Sequence, residues 1–533
     1  MSHPTRFPRL LALLRVLLLA AGSGAVILAL FYGVANWRGS REWRAERQRI
    51  ESLGRRTDIT ALAPPAVPDN DNFAMIPLLR PLLDYRRLQG DLWAGIQWND
   101  TNGYALANET LALGESLKRR FKEPAERSWT RGERVDLRAW QAALRDPKQR
   151  PALTANLANT GQDTNLMLLP EGTPPGREIL QVLGSYAGSF DALSKGIRRA
   201  HSQFPVHYDE VYAALLPHLH LLKRFTTRFS LRAVALLAEG HPDSAAEDVI
   251  TSLRLAEAIR TESFLISQIV RQANLDLALQ PLWEGVITQA WSDVHLSAFQ
   301  KQLESIDFIA GWRAGIETER AAAAWAVHRI ASSWESRRAM CEMYASIGHP
   351  PGAPTAVGFP LPYALLAPRG WFYGSLVDAS KSLETLETAT PRDAPDLRST
   401  WRPSDRPIRI SRLLYFSLLA NGLGDLSAAF VNTVRRQTHL RIATTACALE
   451  RHRLAHGTYP DTLGSLVPNF LPAVPVDPID DQPLRYRREA KDRFALWSVG
   501  ENGRDDSGAF PTGGETTPYE GDWVWRWPAP VAH

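Results

Sequence analysis

The chain has 533 residues, with 61 basic and 57 acidic side chains giving a net charge of +4; that is length for roughly two to four domains with sizeable cores. Apolar residues make up 44% and charged residues 22%, a globular balance that excludes a wholly disordered chain, and the small basic excess is not clustered into the stripe that nucleic-acid binding requires. Two cysteines, Cys341 and Cys447, are too few for a disulfide framework or a structural zinc site, and spacing alone does not say whether they meet.

Residues 1–15 carry Arg6, Arg9 and Arg15 and no acid, and are expected to be cytoplasmic. Residues 16–37, VLLLAAGSGAVILALFYGVANW, are uncharged; at 1.5 Å per residue they cross a hydrocarbon core of about 30 Å. The small residues AAGSGA suit a signal-peptide cleavage site, but the apolar run continues beyond a signal core of about 7–15 residues. An uncleaved anchor, with Trp37 at the outer interface, is the reading adopted. Orientation is contested. Arg38, Arg41, Arg44, Arg47 and Arg49 follow the span and by count would keep the body inside; long domains, however, translocate largely regardless of flanking charge. The bulk is expected outside the inner membrane.

Residues 38–68 comprise a charged, helix-compatible stalk and the proline-rich break ALAPPAVPDND, extended because residues before proline avoid the α region. Residues 69–400 are expected to form an irregular helical bundle able to fold alone. In VDLRAWQAALRDP, Asp136 is placed to cap, Leu137, Trp140 and Leu144 share a face, and Pro147 stops the helix. Residues 211–239 and 243–260 form an amphipathic hairpin that looks like one tetratricopeptide-type repeat, stopped by Gly240 and restarted with Asp243 or Ser244 as cap. Residues 317–336 and 377–386 read as further helices. Residues 401–437 form a connecting helix; Asn421 and Asp425 within its apolar stretch argue for a core helix over a second span.

No Walker A, nucleophile elbow, HExxH or CxxC motif occurs. His218 and His220 are two apart on a helix and face different ways, while His452 and His456 stand at i, i+4 without a third ligand. Glu317, Glu319 and His328 suit acid–base work only if geometry unites them.

The end of the chain runs THLRIATTACALERHRLAHGTYP, DTLGSLVP, NFLPAVPVDPIDDQP, LRYRR, FALWSVG and DWVWRW. Helix, Tyr-Pro loop and small antiparallel sheet follow in the order of the globular domain of the type II secretion major pseudopilin, which residues 438–533 resemble. The resemblance implies an α+β module and a calcium-binding loop after the second strand, with Asp505, Asp506 and Asp522 as ligands; a solvated turn in which Asp505 caps its own backbone is the competing reading. No pilin processing site precedes the apolar run and no glutamate lies in it, so a processed filament subunit is not implied. Trp523, Trp525 and Trp527 share one strand face, for packing or for a partner. The stretch PAVPDNDNFAMIPLLRPLL is similar to single-span bacterial envelope proteins.

The expected fold is mainly α: an N-terminal transmembrane helix, a helical bundle and a small pseudopilin-like module. The expected function is non-catalytic, a membrane-held protein engaging envelope or secretion-system proteins, with no nucleic-acid partner. The alternative is a hydrolase-class envelope enzyme with a cleft in the helical body.

Overall fold

The computed structural model describes residues 7–88, 95–110, 124, 128–148, 169–338, 367–400, 417–509 and 521–528. In chain order the helices are α1 (Phe7–Ser52), α2 (Thr101–Thr110), α3 (Leu137–Arg145), α4 (Pro175–Gly184), α5 (Ala187–Gly196), α6 (Pro217–Ala238), α7 (Pro242–Glu257), α8 (Leu265–Ile287), α9 (Asp293–Glu304), α10 (Phe308–Ser332), α11 (Arg369–Thr388), α12 (Ala394–Thr400) and α13 (Ser417–His456). The strands are β1 (Tyr85–Arg87), β2 (Ile96–Trp98), β3 (Arg485–Ala490), β4 (Arg493–Ser498) and β5 (Trp523–Trp525). The chain is mainly helical and divides into two compact units.

The first unit contains Met1–Ala61, Glu319–Glu387 and Arg402–Leu426. Its organising element is α1, unbroken through the apolar run and the charged stalk. Along the apolar half Leu19 is 72% and Ile27 67% exposed, whereas Trp43 is 3% and Ile50 1% exposed further on. Trp43 packs with Ala323, Ala324 and Val327 of α10 and with Phe372, Leu376 and Val377 of α11. The stalk is therefore not solvated all round, as its charge run suggests. One face keeps the i, i+4 pairs Arg38–Glu42 and Arg47–Glu51 in water; the other is core. Backbones touch where α1 crosses α11: a Cβ on Gly39 would lie 1.9 Å from the Gly370 carbonyl oxygen, and one on Gly370 would lie 1.8 Å from that of Ala35. Only glycine permits this approach. Asn36 Oδ1 accepts the Gly370 amide at 3.0 Å, and Phe31 meets Trp371 edge to face at 5.8 Å. Below the crossing, Arg49 and Arg55 both pair with Glu384, and Arg55 also with Glu387. Arg320, 1% exposed, joins the same carboxylate of Glu387. Residues 401–416, within the expected connecting helix, lie outside the described residues.

The second unit contains Leu62–Thr318, Thr388–Trp401 and Ser427–His533. Its core is the α6–α7 hairpin with α8 and α4 against it; Phe190, Phe225 and Phe229 lie at its centre. The hairpin forms as read, with Gly240 at φ +80°, but two details differ. The first helix begins at Pro217, not at residue 211, because residues 208–213 form a 3₁₀ turn with Val211 at φ 51°. The second is entered through His241 and Pro242 without a side-chain cap, Pro at the first helical position needing no amide partner; neither Asp243 nor Ser244 caps. Asp136 does cap α3, accepting the Ala139 amide at 2.9 Å. Residues 73–98 are not dominated by helix: short 3₁₀ turns lead into the antiparallel β1–β2 pair.

The C-terminal region belongs to the same compact unit. Its sheet is antiparallel in the order β3–β4–β5, and α13 carries the buried Phe430, Val431, Val434, Leu440 and Leu449. The expected boundary at 437/438 falls inside α13. Trp283 of α8, fully buried, donates its indole N–H to the Arg526 carbonyl at 2.7 Å. Trp129 lies 5.6 Å from Trp525, Trp312 of α10 lies 5.4 Å from Phe430, and Gln272 donates to Thr433 at 2.9 Å.

Candidate functional site

The loops of the C-terminal region are held by a pair of buried acids. Glu450, on the last turns of α13, accepts both Arg453 (2.6 Å) and the Tyr459 hydroxyl (2.7 Å), which fixes the Tyr-Pro loop as it leaves Gly457, at φ +75°. Asp477, fully buried, accepts the amides of Ile479 (3.0 Å) and Val499 (2.9 Å), the Ser498 hydroxyl (2.9 Å) and Arg485 Nη1 (3.3 Å). Burial pushes its carboxyl above the ordinary aspartate range while the amide donors pull it back. One side chain thus ties the connector to both strands of the β3–β4 hairpin, a role nothing in VPVDPIDDQP announces.

The three aspartates of the expected calcium loop are neighbours here. Asp522 Oδ1 accepts the Asp506 amide at 3.2 Å and Oδ2 the Gly508 amide at 2.7 Å. Asp505 Oδ1 accepts Trp497 Nε1 and the Ser507 amide, both at 2.9 Å, and Asp506 Oδ2 accepts Asn502 Nδ2 at 2.9 Å. Asp505 also caps its own loop, as in the competing reading. Burial, with Asp505 and Asp506 nearby, raises the Asp522 carboxyl above its ordinary value against the pull of the two amides. Calcium wants six to eight oxygens turned toward one point; these carboxylates face N–H donors instead. Among the described residues no three Asp, Glu, His or Cys side chains are grouped to hold a metal ion. Residues 510–520 of the loop lie outside the described residues.

Trp523 and Trp525 are buried, Trp525 against Trp129 and Trp523 near His439, and Trp527 lies against Phe494. The aromatic face packs inward. His452 and His456 stack at 4.2 Å, each with Nδ1 at 3.0 Å from a backbone carbonyl. Glu317 and His328 lie eleven residues apart on α10, about 16 Å along a helix axis, and Glu319 about 13 Å from His328; these groups do not assemble an acid–base pair. Glu319 is nonetheless perturbed, burial pushing its carboxyl up to about 7.

Sequence reasoning passed over a polar cluster in the helical core. His218 Nε2 lies 2.7 Å from Glu262 Oε1, Ser267 donates to Glu262 Oε2 at 2.7 Å, and the His218 ring stacks on Phe204 at 4.2 Å. The carboxylate stands between serine and histidine, so the histidine does not reach the hydroxyl as a general base must. With His218 1% and Glu262 3% exposed, the cluster joins α6, the turn before α8, and α8 itself. Cys447 is buried; Cys341 lies outside the described residues.

The class these features define is a mainly helical protein whose N-terminal helix is long and apolar enough to cross a membrane. Compared with known proteins, the chain matches no family, no curated protein and no solved structure.

Proposed function

We propose that the protein is a single-pass envelope protein of the inner membrane. α1 holds its folded body on the extracytoplasmic side, where it acts by binding envelope or secretion-system proteins rather than by catalysis. The observation that carries this is α1 itself: one continuous helix offers an uncovered apolar surface along its first half and a buried face along its second. A soluble protein gains nothing from so large an exposed apolar surface, whereas a bilayer covers it. The pseudopilin-like reading of residues 438–533 rests on the order helix, Tyr-Pro loop and antiparallel sheet, and it is an analogy of fold.

The test is alkaline carbonate extraction of membranes, followed by protease treatment of spheroplasts with intact inner membranes. The full-length chain stays in the pellet and is digested from outside. Recovery of a shortened chain in the supernatant refutes the anchor; protection from external protease refutes the sidedness.

A further inference from the structure

A cleft in the second unit, about 620 Å³ in volume, lies where the turn after α5, the end of α7 and the proline-rich segment 64–67 come together. Its charged lining is one-sided: Arg198, Arg199, Arg254 and Arg260 against Glu257 alone. That one acid is already spent, since both Glu257 oxygens accept Arg271 at 2.7 Å. Arg199 is held through Nη1 by the carbonyls of Asp69 and Asn72, at 3.3 and 2.8 Å. Arg198, Arg254 and Arg260 pair with no acid among the described residues. Half-buried Arg254 is the telling member: burial first, and the neighbouring Arg198 second, push its guanidinium below the ordinary arginine range. The bland explanation is that these arginines offset the ends of α5 and α7. A helix C-terminus carries roughly half a negative charge, so two ends account for about one of the three unpaired guanidinium groups; Arg198 and Arg260 are exposed and hydrated, which leaves half-buried Arg254 as the charge without an answer. Pro64, Pro65 and Val67 form an apolar wall beside this basic floor.

We propose that this cleft is a binding site for a phosphate group carried on an organic body, with Arg198, Arg254 and Arg260 as the anion-binding residues and the Pro64–Pro65–Val67 wall against the body. Guanidinium groups match phosphate oxygens bidentately and stay charged when partly desolvated. The volume exceeds what a bare phosphate fills. Free phosphate esters and phosphate-headed lipids present the same chemistry.

The test is isothermal titration of the full-length protein in uncharged detergent with glycerol 3-phosphate, with a short-chain phosphatidic acid below its micellar concentration, and with citrate. Saturable heat with either phosphate compound is expected. Losing a charge-assisted contact in Arg254→Gln should weaken binding roughly tenfold or more, while Arg254→Lys retains some of it. Ligand-free Arg254→Gln should melt no lower than the parent, because a desolvated charge beside a like charge is removed. Tighter binding of the lipid assigns the site to a lipid headgroup; equal or tighter binding of glycerol 3-phosphate assigns it to a free phosphate ester. The proposal is overturned by absence of saturable heat with both, by citrate binding as well as they do, or by unchanged affinity in the Arg198→Gln, Arg254→Gln double variant. A lowered melting temperature in ligand-free Arg254→Gln, with affinity unchanged, assigns the arginine a structural role and also overturns it.

Discussion

Trp283 is where the helical core and the C-terminal strands depend most directly on one another. Trp283→Ala removes a fully buried indole, for which truncation costs about 3–5 kcal/mol, and leaves the Arg526 carbonyl without its donor at about 1 kcal/mol more. Trp283→Phe keeps most of the volume and loses the hydrogen bond, so about 1–2 kcal/mol is expected. Pulse proteolysis of the detergent-solubilised full-length chain across a urea series measures both, with peptides from α6–α8 and from β3–β5 followed separately by mass spectrometry. With a urea slope of about 3 kcal/mol/M for a unit of this size, the alanine midpoint falls by roughly 1–2 M. The two groups of peptides should become sensitive together, in parent and variant alike. If α6–α8 keep the parental midpoint while β3–β5 open early, the two regions fold separately and the reasoning fails.

Gly39→Ala forces a methyl group into the Gly370 carbonyl and should cost about 1–3 kcal/mol by overpacking, read as faster protease cutting within α1 and α11; unchanged cutting would mean the backbones do not touch. Asp477→Ala strips four donors of their acceptor and should lower the melting temperature by several degrees, consistent with about 2–4 kcal/mol, with Asp477→Asn milder; equal effects of the two refute the acceptor role. Glu319 has a carboxyl raised to about 7, so the folded state favours its neutral form. Its contribution is full below the ordinary glutamate value of about 4.5 and is lost as pH rises toward 7. Glu319→Gln should therefore raise the melting temperature at pH 8 and not at pH 4, and an equal effect at both removes the titration from the account.

Local features could be read from the sequence because their causes are local. The cap by Asp136, the left-handed stop at Gly240 and the amphipathic stripes of α6 and α7 each follow from residues within a few positions of one another. The apolar run of α1 was legible for the same reason. Its docking was not, because alternating Arg and Glu describe the wet face of the stalk and say nothing of Trp43 and Ile50 between them. Periodicity also ran through the break at Val211, since a 3₁₀ turn followed by Pro217 leaves the apolar spacing nearly intact. The larger losses are of long range. Trp129 and Trp525 touch across almost the whole body, and the two buried members of the Trp523–Trp525–Trp527 face chose partners within the unit. The arginine cleft draws its charge from two segments, 198–199 and 254–260, neither of which is basic enough alone to attract notice.

The unbroken passage of α1 from apolar run to folded unit has a mechanical consequence. At 1.5 Å per residue, residues 16–37 measure about 33 Å, and the Phe31–Trp371 and Gly39–Gly370 contacts begin within the last two turns of that length. If α1 crosses a bilayer as proposed, there is no joint between lipid and protein, and bilayer thickness sets how far α11 stands from the headgroups. A helix that hangs freely meets a thinner membrane by tilting, but this one would have to tilt its folded unit with it or surrender the glycine crossing. Under the proposed anchoring, bilayers of graded thickness should therefore register as graded strain at Gly370, making α1 a gauge as well as a tether.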